Sequence, residues 1–226
     1  MNLDDAIRLT EILLGAALLQ QSLEHIRDEN KDRFLFAMRG ACSVLLVAGI
    51  WTSIALAGLG ILSLFILRRF QGPYNGGADR MGLLALWCLL AAHFLPDGKW
   101  REIAFGYLGV QLILSYFISG WVKIVNPDWR SGRALRDVFQ FSTYPVSEDL
   151  RRLADRPHML FAASWAVMLL ELAFPFALLA QPLLILALIL TASFHMANAW
   201  LFGLNRFFWT WLAVYPALLW LQDRIF

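Results

Sequence analysis

Residues 103–129 read IAFGYLGVQLILSYFISGWVKIVNPDW. From Ile103 to Val122 no side chain is charged, and about 20 predominantly apolar residues are what a helix needs to cross the hydrocarbon core of a bilayer. Lys123 closes that run, and Asn126-Pro127 stops the helix, because the residue before a proline is driven out of the helical region. A lysine this close to hydrocarbon is costly unless it faces protein, pairs with an acid or reaches the interface. Two readings are therefore open for Lys123: a side chain that snorkels to the headgroups, or a functional group held inside the protein.

The rest of the chain has the same character. Of its 226 residues 59% are hydrophobic and 16% charged, with 10 Trp and 17 Phe. Apolar runs of near-spanning length recur along it, so the expectation is an all-α, polytopic integral membrane helix bundle forming a single transmembrane domain over residues 1–226, with no room for a separate soluble domain. The first segment carries Asp4, Asp5, Arg8 and Glu11 and ends in polar residues, with no small-residue cleavage site, so it is expected to be retained as a helix. Cys42 and Cys88 sit in apolar runs without CxxC or Cys/His spacing, which signals neither a metal site nor a redox pair. A net charge of +2 is too slight to point to nucleic acid.

From Phe34 to Leu67 apolar character is interrupted only by Arg39, and the run is either one long tilted helix or two helices broken near Ala48-Gly49. Charge distribution separates the two, since cytoplasmic loops are enriched in Lys and Arg. With the break there are about eight membrane helices, near 6–23, 32–48, 51–68, 80–95, 103–123, 158–180, 182–202 and 207–222. Fifteen of the 19 basic residues then fall on one side, the exceptions being Arg8, Lys99, Arg101 and Arg224. That asymmetry places both termini outside the cytoplasm and the loop after Lys123 inside it.

Two loops carry information. The stretch 69–79, RFQGPYNGGAD, is rich in turn formers, and Asn75-Gly76-Gly77 can present backbone N–H groups to an anion or merely connect two helices tightly. The surface loop 124–157 contains WRSGRALRDVFQFS and YPVSEDLRRLADRP, which suit short amphipathic helices at the membrane surface, with Pro157 restarting the next span. At the other end of the chain, Arg8 and Glu11 share a helical face and can pair there, but the expectation is a charged terminal turn at the interface.

The last three spans hold isolated polar residues: Ser164, Glu171, His195, Asn198 and Asn205. Glu171, in MLLELAF, lies too far into its helix for an end effect and has to be protonated or paired. His195 and Asn198 are three apart and face the same way, toward one ligand or one neighbouring helix.

YFISGWVKIVNPDWRSG resembles the catalytic-lysine segment of the vitamin K-dependent gamma-glutamyl carboxylases and of the wider bacterial family of horizontally transferred transmembrane (HTTM) domains. FHMANAWLFGLNRFFWTWLAVYP is similar to a late helix of that family, YNGGAD to a loop before another, and ELAFPFALL sits where the family has an acid in an apolar helix. Together these stretches cover roughly residues 70–220. The resemblance implies chemistry on a reduced, vitamin K-type quinone with O2 and CO2. A lysine, matched here by Lys123, deprotonates the quinol, and oxygenation then yields a base strong enough to remove a proton from a substrate glutamate, whose carbanion takes up CO2. A lysine among apolar side chains is a competent general base toward a phenolic O–H.

The resulting expectation is a lyase-type enzyme of a bacterial inner membrane that admits a lipid-soluble quinol from the bilayer. Lys123 is its base, His195 and Asn198 orient oxygens, Glu171 is a buried acid paired with a donor, Asn75, Asp79 and Trp129 close the mouth, and no metal takes part. A reading of a different class is a non-catalytic subunit that binds a quinone, lipid or protein partner, whose polar residues satisfy one another across helices. A proton-coupled transporter using Glu171 and His195 ranks third, since no internal hydropathy repeat is evident.

Overall fold

The computed structural model describes residues 1–27, 32–69, 76–141 and 148–225. Among these, all regular structure is helical: α1 (Leu3–Arg27), α2 (Arg33–Ala48), α3 (Thr52–Arg69), α4 (Gly77–Phe94), α5 (Lys99–Val125), α6 (Pro127–Arg130), α7 (Arg133–Phe141), α8 (Glu148–Arg151), α9 (Pro157–Ala173), α10 (Gln181–Phe202) and α11 (Asn205–Ile225). Four stretches have both the length and the apolar composition to cross a bilayer: α3, α5, α9 with the 3-10 turns that extend it to Leu179, and α10. The chain is an integral membrane protein.

The eight expected spans are present as helices, but the count of eight crossings is not carried by length and composition. The 16 residues of α2 reach about 24 Å at 1.5 Å per residue, short of a hydrocarbon core about 30 Å thick. α1 contains Arg8, Glu11, Gln20, Gln21 and Glu24, α4 contains Asp79, Arg80 and His93, and α11 ends in Gln222, Asp223 and Arg224.

The chain divides into two compact units, one made of residues 1–110 with 209–226 and the other of residues 111–208. In the first, α1 and α2 form a close antiparallel pair. A Cβ on Gly15 would lie 2.8 Å from a Val47 methyl, so the two backbones meet where a side chain is missing. Leu14, Leu18, Phe36, Leu46, Leu56, Leu59, Leu86, Leu89, Phe105 and Leu108 are buried in this unit. α2 ends at Gly49, whose φ of 73° is left-handed and so favours glycine. The Gly49 N–H donates to Leu46 O and the Ile50 N–H to Leu45 O, which satisfies two carbonyls of the last turn before α3 begins at Thr52.

In the second unit α9 loses its regular helix at Phe174-Pro175, where the proline has no N–H to donate, and tightens into 3-10 turns over Phe174–Leu179. α10 restarts with Pro182 in its first turn, where a proline is tolerated. The segment after α5 folds back as α6, α7 and a 3-10 turn at Arg152–Asp155. Phe139, Ala154, Leu160 and Phe202 form a small apolar core beneath it. α7 is amphipathic, burying Phe139 and exposing Arg133, Arg136 and Phe141.

Candidate active site

Tyr116, Ser119, Gly120 and Lys123 occur at spacings of three, one and three in α5, so they form one stripe along two turns, about 10 Å from Tyr116 to Lys123. The stripe faces α9. A Cβ on Gly120 would stand 2.8 Å from the Leu172 backbone nitrogen and 3.0 Å from the Glu171 Cβ, so glycine is what allows the two helices to approach. That approach brings Glu171 against the lysine.

Lys123 Nζ donates to both carboxylate oxygens of Glu171, at 2.8 Å and 2.6 Å, and to Ser119 Oγ at 2.5 Å. Ser119 Oγ in turn donates to Glu171 Oε1 at 3.2 Å. The three ammonium protons thus have three acceptors, and the side chain turns into the protein instead of reaching out. The Glu171 side chain is 4% exposed and that of Lys123 is 16% exposed, so the pair is accessible on its lysine side.

Trp129 completes this side, with its ring centroid 5.3 Å from Lys123 Nζ, within range of a cation–π attraction. Its position is built locally. Asn126 caps α6 by accepting from the Asp128 N–H at 2.9 Å, and Pro127 supplies the first helical residue. From α9, Ser164 Oγ donates to Trp129 O at 2.5 Å and Trp165 Nε1 to Arg130 O at 3.1 Å. The chain then turns at Gly132, φ 79°, where a Cβ would touch the Phe161 backbone at 3.0 Å.

Two turns back along α5, buried Tyr116 shares a hydrogen bond with His195 of α10, 2.9 Å from phenol oxygen to Nε2. Phe174 packs on Tyr116 with ring centroids 4.2 Å apart, and Phe194 and Phe207 lie beside His195 at 5.2 Å and 6.3 Å. Asn198 is half-buried one turn further along α10, and its backbone oxygen accepts from the Gly203 and Leu204 N–H groups that end the helix.

The structure therefore brings Glu171 and Trp129 each against Lys123 and ties His195 of α10 to the same α5 stripe through Tyr116. Asp79 belongs to the other compact unit, where it lines a small cavity of about 30 Å³ with Arg39, Gln21, Ser63 and Thr210. Asn75 lies outside the described residues. Tyr116, Ser119 and Gly120 are not among the expected site residues, although their helical register with Lys123 in the sequence is a signal that points to them.

A protein-family comparison matches residues 99–222 to the HTTM domain. The chain belongs to the HTTM domain family. The HTTM match takes in Lys123, Trp129, Glu171, His195 and Asn198 and begins after Asp79 and Asn75. No curated protein and no solved structure matches the chain.

Proposed function

We propose that the Lys123–Glu171 pair is an acid–base centre acting on a reduced, vitamin K-type quinone in a bacterial inner membrane, the termini lying outside the cytoplasm. The observation that carries this is the ion pair itself: an ammonium and a carboxylate inside an apolar helix pair, open on the lysine side beneath an aromatic ring. Intramembrane ionisable pairs of this kind are expensive and mark functional sites by default.

The donor set suits such a ligand, since Trp129 offers a face for a flat ring and the pair offers both a cation and a proton acceptor. A bound quinol supplies an acidic phenolic O–H and, after oxygenation, a strong base. The pair has room for one further proton. It is taken up at a Glu171 carboxylate oxygen directly, or at Lys123 Nζ after that amine has given its own proton to Glu171. Both orders end with a protonated Glu171 and a Lys123 ammonium, which faces the anion left behind. Lys123 thus holds the charge and Glu171 the proton, a division that the lysine alone would not provide. His195, with its Tyr116 bond, and Asn198 are assigned to orienting oxygens, and Trp129 to covering the pair.

A non-catalytic subunit that binds a quinone, lipid or protein partner is the second reading. It is favoured by the way Lys123 with Glu171, and Tyr116 with His195, satisfy one another across helices.

The test is turnover of a reduced naphthoquinone with O2 by the purified chain in detergent, followed as quinone epoxide by mass spectrometry. The proposal expects epoxide from the wild type and none from Lys123→Ala or Glu171→Gln. Quinol bound without epoxide supports the second reading, and epoxide formed equally by both variants rejects the acid–base assignment.

A further inference from the structure

A second constellation lies in the other compact unit, among residues that precede the family match. Glu11 of α1 is 2% exposed. One of its oxygens sits 2.5 Å from Nε2 of His93, near the end of α4, and the other accepts from Arg8 Nη1 at 3.0 Å. Arg8 is itself fixed, donating to the Leu46 and Val47 carbonyls at the end of α2, at 2.8 Å and 2.6 Å. The second ring nitrogen of His93, Nδ1, is 3.4 Å from Ser53 Oγ, in the first turn of α3.

A tie between helix ends would be complete with Arg8, Glu11 and His93. It does not require a serine hydroxyl on the remaining ring nitrogen. A carboxylate holding one imidazole N–H fixes the tautomer, leaving the lone pair of the other nitrogen toward the hydroxyl, and this is the arrangement by which a histidine activates a serine. A bond of 3.4 Å is long, as catalytic hydrogen bonds often are before substrate is bound. Ser53 is the second residue of α3, whose first-turn N–H groups have no acceptor within the helix; the Ala55 N–H donates to Trp51 O at 2.9 Å, which leaves those of Thr52, Ser53 and Ile54 as the candidate donors to an oxyanion. Ile50, Trp51 and Ile54, near Ser53 in sequence, are 50%, 70% and 67% exposed, so this end of α3 presents apolar surface.

We infer that Ser53, His93 and Glu11 form a serine hydrolase-type site for carboxylic esters with apolar acyl groups. Ser53 Oγ attacks the carbonyl carbon and its proton passes to His93 Nδ1. The bond to the leaving alcohol breaks as Nδ1 protonates the alcohol oxygen, leaving an acyl-serine. Water, deprotonated by the same nitrogen, adds to the acyl carbon; the acyl–Oγ bond then breaks as Nδ1 returns that proton to Ser53 Oγ, releasing the carboxylic acid and restoring the free serine. Ester and water are consumed, acid and alcohol are formed, and no other reactant enters. Glu11 orients His93 and stabilises the imidazolium, and Arg8 holds Glu11 in place. The site is independent of Lys123.

The full chain in detergent is treated with a biotinylated fluorophosphonate, and the labelled peptides are mapped by mass spectrometry, with p-nitrophenyl octanoate hydrolysis followed in parallel. The expected result is an adduct on Ser53, absent from Ser53→Ala, with labelling and hydrolysis slowed by about 10²–10⁴-fold in His93→Gln, the usual weight of a general base. Ser53→Ala removes one half-buried oxygen, so its melting temperature should match the wild type, and lost hydrolysis in a folded variant cannot then be ascribed to unfolding. No adduct on Ser53 in the wild type, or labelling of His93→Gln at the wild-type rate, overturns the inference.

Discussion

Gly120 of α5 and Leu172 of α9 meet so closely that a Cβ on the glycine would lie 2.8 Å from the leucine's backbone nitrogen. Backbone cannot yield as a flexible side chain would, so Gly120→Ala has to move one helix away from the other. Overpacking of this kind costs about 1–3 kcal/mol. The same displacement stretches the Lys123–Glu171 contact. The variant should unfold several degrees below the wild type in detergent and also lose activity. Retention of both would mean that α5 and α9 can separate without consequence for the pair.

Lys123 and Glu171 should be strongly non-additive. Removing one partner leaves the other charge buried without compensation, about 3–5 kcal/mol for such pairs, whereas replacing both with apolar residues is often close to neutral. Lys123→Met and Glu171→Leu should each destabilise the protein, and the double variant should recover most of the loss while remaining inactive. A double-mutant cycle on thermal unfolding measures the coupling. Two independent losses that simply add would show that the pair is not a unit.

Much of the helical layout was legible because its determinants are local. The end of α2 is written in Ala48-Gly49, where only a residue tolerant of positive φ finishes the helix with its carbonyls satisfied, and the end of α5 in Asn126-Pro127. The number of crossings was not legible in the same way. Apolar runs such as 33–48 mark a buried helix equally well, and length separates the two only in part. At the site, Glu171 was recognisable as a residue needing a partner, but its identity was not. Lys123 is 48 residues away in sequence, and their meeting depends on the missing side chain of Gly120. The Arg8–Glu11 spacing was readable as a pair or as an interfacial turn. The structure overturns the expected interfacial turn: Arg8 Nη1 donates to one oxygen of the buried Glu11, and His93, 82 positions after Glu11, meets the other.

Gly132 is constrained twice, by its φ of 79° and by the Phe161 backbone 3.0 Å from where a Cβ would be. A left-handed conformation costs a side-chain-bearing residue about 1–2 kcal/mol before any clash is counted. Gly132→Ala should therefore destabilise the turn between α6 and α7 more than alanine does at Gly98, whose φ of 101° carries the conformational strain with nothing within 4 Å. The comparison isolates contact from dihedral strain. If both variants melt alike, the packing of this turn on α9 contributes nothing, and Trp129 is positioned by its hydrogen bonds alone.

Tyr116 joins two roles that can be separated. Its ring packs on Phe174 and its hydroxyl bonds His195. Tyr116→Phe keeps the ring and deletes the hydroxyl, which should cost about 1–3 kcal/mol, because the buried His195 nitrogen loses this partner. Tyr116→Ala also deletes the ring and should cost about 3–5 kcal/mol, as aromatic truncations in cores do. Thermal unfolding of the two variants gives the difference directly. Equal losses would place the whole contribution in the hydroxyl, making the His195 contact the element that holds α10 to α5; a neutral Tyr116→Phe would leave packing alone to do so.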